Sequence, residues 1–149
     1  MIVNGNEGKS GMQQFFKDVE LVKESILYIK QASKAMTDIN QKIALAATAE
    51  KESSLSEELK PILKNANKKA QTSKQILQEL RSETDTMKTS KDANKQAADI
   101  RIRENLVNTL TRKFVDIMKE YQNVQQKYKQ DIKKKVTRQV QIVKPDATT

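Results

Sequence analysis

The side chains able to do chemistry in this chain are few in kind. They are 19 Asp and Glu, 28 Lys and Arg, and the hydroxyls of Ser, Thr and three Tyr, because the 149 residues include no His and no Cys. Thiol nucleophiles, disulfides, thiolate zinc sites, His-dependent triads and imidazole general bases are therefore excluded together. An acid–base enzyme would have to rest on carboxylates. Glu57-Glu58 and Glu50-x-Glu52 are neighbouring acids, but neither pair has a partner that would drive two pKa values apart. They read as solvated faces. The three glycines, Gly5, Gly8 and Gly11, make no phosphate loop, and no metal-ligand spacing is found. No catalytic residue, metal site or cofactor is expected, and the chain does not read as an enzyme.

What remains is charge, and it is uneven. The formal net charge is +9. Residues 1–100 hold 16 basic against 14 acidic side chains, whereas residues 101–149 hold 12 against 5, a balance of +7. A basic patch of Lys129, Lys133, Lys134, Lys135 and Arg138, with Lys127 ahead of it, stands near the C-terminal end. Cations there oppose the negative end of a helix dipole, so part of the asymmetry is structural. The functional readings are an anionic membrane surface or nucleic acid. No stacking aromatic accompanies the cluster except Tyr128, which favours membrane over nucleic acid.

These residues need elements to hold them, and the spacing of apolar residues supplies the elements. Between Met12 and Lys144 the one strong helix breaker is Pro61. Met12, Phe15, Val19, Val22, Ile26, Ile29, Ser33, Met36, Asn40, Ile43 and Ala47 follow one another at steps of three and four, a stripe on one helical face. Phe16 and Ile39 widen it. At ~1.5 Å per residue this helix, about 12–48, is ~55 Å long. A second stripe through Leu55, Leu59, Ile62, Ala66, Ser73, Leu77, Leu80, Thr84 and Met87 predicts a helix over about 54–87, with Ser54 and Glu57 as a capping box. Pro61 should kink it or leave its first turn ragged. Leu106, Leu110, Phe114, Ile117, Tyr121, Val124, Tyr128, Ile132 and Val136 line a third, over about 97–143, with Ile142 near its end.

The implied fold is all-α, an antiparallel up-down-up bundle of three long helices over 12–143. A flexible segment 1–11 precedes it and a flexible tail 144–149 follows. One uninterrupted coiled coil is the rival. Ser33, Asn40, Ser73 and Thr84 occupy stripe positions where apolar residues are expected; a drifting stripe would leave them at its margin. Met1–Gly11 has no apolar run of the kind a signal peptide needs, and no stretch approaches the ~20 apolar residues of a membrane span. As given, the polypeptide is expected to be soluble.

In the third helix the residues become specific enough to resemble a family. The run Ala98-Asp99-Ile100-Arg101-Ile102-Arg103, then Leu110-Thr111-Arg112-Lys113-Phe114-Val115, Met118, Tyr121, Gln125, Tyr128-Lys129 and Arg138-Gln139-Val140-Gln141-Ile142, resembles the third helix of the syntaxin N-terminal domain. Met12 to Val19, with the paired Phe15-Phe16, resembles the opening of the family's first helix, and Ala66-Asn67-Lys68 a motif of its second. The resemblance covers nearly all of the chain from Met12 to Val143. It implies a Habc domain, the regulatory three-helix bundle of a syntaxin-type (Qa) SNARE in vesicle docking and membrane fusion.

Such a domain folds back on the SNARE helix in a closed state and contributes to binding SM-class proteins. The SNARE helix and the C-terminal membrane anchor are absent here, and the resemblance implies a place on the cytoplasmic face of a membrane. Other SNAREs would be met through the full-length protein, and the isolated domain is expected to be monomeric. A groove between the second and third helices could take a fourth amphipathic helix. Its expected lining is Asn67, Lys69 and Lys74 on the second helix, with Arg112, Lys113, Asp116, Glu120 and Lys127 on the third. The alternative is a free-standing basic bundle that binds anionic membrane or nucleic acid, which would show a steep loss of affinity with salt.

Overall fold

The structure is a computed structural model that describes the backbone of residues 3–143 and the side chains of residues 11–139. Three helices fill it: α1 (Val3–Leu45), α2 (Ala49–Lys88) and α3 (Ala97–Val143). The expected tail 144–149 and the side chains of Gln141 and Ile142 lie outside the described residues. The backbone of α1 is already helical from Val3, within the stretch 1–11 expected to be flexible. Internal Gly costs a helix about 1 kcal/mol, a penalty that propagation from an established helix can bear more easily than nucleation can.

The helices lie antiparallel, as the composition of the core shows. Phe15, Val19 and Val22 from the start of α1 cluster with Leu77 and Leu80 from the end of α2 and with Val107 and Leu110 from the start of α3. At the opposite end, Ile39 and Ile43 meet Leu55 and Leu59 of α2, with Ile117 and Tyr121 of α3 and the half-buried Tyr128 and Ile132. Ile26 and Phe114 touch both clusters and join them into one core. A single uninterrupted coiled coil is thereby ruled out. Helix α1 packs against both partners, whereas α2 and α3 touch each other least.

Several expectations need correction. Ser33, Ser73 and Thr84 are buried, not marginal. Ser33 and Thr84 satisfy their hydroxyls on the carbonyls of Ile29 and Leu80, four residues back, which lets a small polar side chain sit in a core. Asn40 is half-buried at the edge and donates to Asp131 Oδ2 at 2.8 Å. Phe16 is 46% exposed and meets Phe15 only edge-on. Val107, not Leu106, is the fully buried residue near the start of α3, and Val136 is exposed. Helix α2 begins at Thr48, whose Oγ1 accepts from Lys51 N–H, well before the expected Ser54 box. Glu50 and Glu52 in its first turn oppose the dipole. The expected ragged turn is not found, since the helix is continuous through Pro61; the ring sits on the exposed side, where water can serve the freed carbonyl.

The adjacent phenylalanines separate core from surface. Phe15→Ala should cost about 3–5 kcal/mol by removing a ring that is 1% exposed, and Phe16→Ala under about 1 kcal/mol. Half-buried Phe114 should fall between. Urea unfolding of the three variants measures the order, and equal losses at positions 15 and 16 would contradict the packing described.

Candidate partner-binding groove

Because α1 carries both other helices, α2 and α3 leave a groove of about 720 Å³ along their common side. Ala70 and Leu77 of α2 and Phe114, Val115 and Met118 of α3 line it with apolar surface. Gln71, Lys74, Gln78 and Arg81 follow along the α2 wall, with Thr111 and Gln122 on the α3 side. Val115 is 43% exposed, an apolar side chain left facing water at a helix surface.

Of the eight residues expected here, Lys74 lines the groove. The others do not. Asn67, itself exposed, accepts a hydrogen bond from the Tyr121 hydroxyl at 3.0 Å and so ties α2 to α3. Burial pushes the Tyr121 phenol up from its ordinary value, with a smaller contribution from Tyr28. Lys69 lies 5.2 Å from the centre of the Tyr28 ring and lines the α1–α2 side. Lys127 binds Asp131 at 2.8 Å in the cleft between α1 and α3. Lys113 and Glu120 precede Lys127 at one-heptad steps and share its face, while Arg112 and Asp116 belong to the exposed outer side of α3.

Expectation took both flanks of the α3 stripe, but one flank alone faces α2. The signal that finds it is the minor series Thr111, Val115, Met118 and Gln122, spaced four, three and four, with two apolar members off the main stripe.

The basic patch also divides. Lys135 is drawn inward, 16% exposed at its side chain, with Glu52 at 2.8 Å. Its ammonium also donates to the carbonyls of Ile43 and Ala46 at the end of α1, where a cation meets the negative end of the helix dipole. Gln139 donates to the same Glu52 at 3.0 Å. Lys134 and Arg138 line the α1–α3 cleft with Lys127 and Asp131, and Lys129 and Lys133 are exposed. The hydrogen bond from Lys135 holds the Glu52 carboxyl below its ordinary value, outweighing partial desolvation. Lys127, then Asn40, does the same for Asp131. Among the described residues no group of acidic side chains could hold a metal ion, and no helix is long and apolar enough to cross a membrane.

Comparison with known proteins agrees with this architecture. The family model described as Syntaxin matches residues 9–149. Among solved structures, the crystal structure of the Unc18–syntaxin 1 complex from Monosiga brevicollis contains a similar chain, 26% identical with a TM-score of 0.77. The match covers 90% of this chain and 62% of that one, so this chain spans less than two thirds of its counterpart's length.

The Lys135–Glu52 contact has a pH signature. The folded-state pKa of Glu52 lies below the ordinary 4.5, so its ionised form stabilises the fold above that pH. The contribution is lost as pH falls from about 4.5 through the lower folded value. Glu52→Gln should therefore lower the urea midpoint at about pH 7, with a deficit that shrinks toward about pH 3. A deficit independent of pH would show that the ion pair is not its source.

Proposed function

The chain belongs to the syntaxin family, and from that premise we propose that it is the N-terminal regulatory domain of a syntaxin-type SNARE, with the α2–α3 groove as the seat of the SNARE helix. Syntaxins are SNARE proteins and not enzymes, and no reaction is assigned. One observation carries the proposal: a long bundle leaves an apolar groove beside two helices that are otherwise complete, with Val115 exposed in it. A fourth amphipathic helix laid there would bury Val115 and the rest of Met118 over the already buried Leu77, and complete a four-helix arrangement. Occupied, the groove withholds the SNARE helix from fusion partners; closure and opening are then a population shift set by competition for that helix.

The likeness to a chain solved in complex with Unc18 supports an SM-class protein as a further partner. Other SNAREs are reached through the full-length protein. The exposed Lys129, Lys133, Lys134 and Arg138 suit an anionic membrane surface beside which the domain works. Nucleic acid is disfavoured, because the hydroxyl of Tyr128 is engaged with Ser56 at 3.2 Å and its ring packs on the core.

The test uses substitutions that spare the core. Val115→Gln with Met118→Gln should leave the helical circular dichroism unchanged and weaken binding of a syntaxin SNARE helix by about tenfold or more, given ~1.5–3 kcal/mol for a fully buried aliphatic side chain. Binding should persist at raised salt. Unchanged affinity in the double variant, or binding abolished by salt in the wild type, would overturn the assignment.

A further inference from the structure

The groove carries two charged side chains, and both are cations. Lys74 and Arg81 stand on the α2 wall one heptad apart, and no carboxylate lines the groove with them. Among the described residues neither makes an ion pair. Arg81 donates to Asn108 Oδ1 at a long 3.5 Å. Two acids come near at one end: Asp85 and Glu104 line a small adjoining hollow with Arg81, where Glu104 is paired with Lys88 and neither forms an ion pair with Arg81. The remaining polar lining, Gln71, Gln78, Thr111 and Gln122, is neutral. Sequence expectation had put the acids Asp116 and Glu120 into this surface; their removal to other faces leaves its charge of one sign.

A helix laid in the groove strips water from part of the Lys74 ammonium and the Arg81 guanidinium. Covering cations without supplying counter-charge is unfavourable, and carboxylates placed against them offset that cost and disfavour wrong partners. The spacing fixes where those carboxylates must be. Seven residues of helix advance about 10.5 Å, so an occupant running along α2 meets both cations with acids seven residues apart. They must lie on the flank of its apolar stripe that faces α2. The groove's own lining shares that repeat, the apolar Ala70 and Leu77 on one wall and Thr111 with Met118 on the other, so the stripe and the acids stay in phase.

We propose that Lys74 and Arg81 are specificity-determining residues, and that the groove selects an amphipathic helix bearing two carboxylates one heptad apart beside its apolar stripe. This rests on the reading of the groove as a helix seat and adds what that helix must carry. A second copy of this chain is a poor occupant, since each copy carries a net +9 and like charges repel on approach.

Two synthetic helical peptides test it. They share one apolar heptad stripe and differ at the two flanking positions, Glu in one and Lys in the other. Each is titrated into the wild-type chain and into Lys74→Glu/Arg81→Glu, whose substituted side chains are exposed and whose fold is checked by circular dichroism. The wild type should prefer the Glu peptide by about tenfold, as two partly screened ion pairs allow. The double variant should prefer the Lys peptide, and both preferences should fade in about 1 M salt. A syntaxin SNARE helix is titrated in parallel. If that helix binds while the wild type holds both peptides equally, or while the double variant binds it unchanged, charge selection is overturned and the helix seat stands. If no helix binds, both fall.

Discussion

The face of α1 that bears Phe15, Val22, Ile29, Met36 and Ile43 is the surface on which the other two helices are held. The five residues follow at seven-residue steps, and each is at most 2% exposed. A straight α-helix drifts by ~20° per heptad against such a repeat, so contact over the whole length depends on partners that widen the stripe on either side. Val19, Ile26 and Met12 do so at one end, Ala32 and Ile39 at the other. Both partners use this one face, so their mutual contact is what remains after each has packed on α1. The groove follows from that geometry. It is the unfilled side of a bundle organised around one helix, and not a feature cut into α2 or α3 separately.

Two nearly buried cations of α3 then hold the ends. At one, Arg103 is 6% exposed, with its guanidinium carbon 4.8 Å from the centre of the Phe15 ring. It reaches the Gly11 carbonyl at 3.4 Å and Glu83 at 3.6 Å, so one side chain touches all three helices. Its Nε is buried with no hydrogen-bond partner, which the delocalised, weakly hydrated guanidinium tolerates better than an ammonium would. At the other end Lys135 closes the last carbonyls of α1 and pairs with Glu52 in the first turn of α2. The longest helix thus supplies both clamps, and its register against α1 is set twice. Some of the positive charge of α3 is accordingly internal, which leaves less of it for an outside partner than a count of Lys and Arg suggests.

Helix number, fold class and most of the core were legible in the sequence, because three- and four-residue spacing reports a buried face directly. Errors arose where a residue's type said one thing and its angle on the helix another. Phe16 is as apolar as Phe15 but lies a hundred degrees around the helix, over the edge of the interface. Arg103 is charged, yet it falls on the line of Val107 and Leu110, and a pattern of apolar letters passes over it. Thr48 caps α2 with Lys51, not Glu, three residues on, so the reciprocal half of a capping box was missing and the later Ser54–Glu57 pair looked better. The groove was harder still. Which flank of a stripe faces which neighbour depends on how three helices are arranged around one another, and no single helix encodes that.

The shape of the groove also bears on how firmly an occupant can be held. Its apolar surface is a narrow line of Leu77, Phe114, Val115 and Met118, and its rims are amides and two cations. Most of Phe114 and nearly all of Leu77 are already committed to the core, so a fourth helix gains mainly from covering Val115, Met118 and the stems of Lys74 and Arg81. Gains of that size, set against the ordering of a free helix, give weak association between separate molecules. A helix joined to α3 by a short linker is in another regime, because tethering supplies an effective concentration on the order of millimolar. On the proposed reading, weak intrinsic affinity is what lets tethering alone hold the closed state. It also leaves that state open to displacement by any partner binding the same helix with a few kcal/mol more. A deeper, wholly apolar groove would bind more tightly and would be the worse switch.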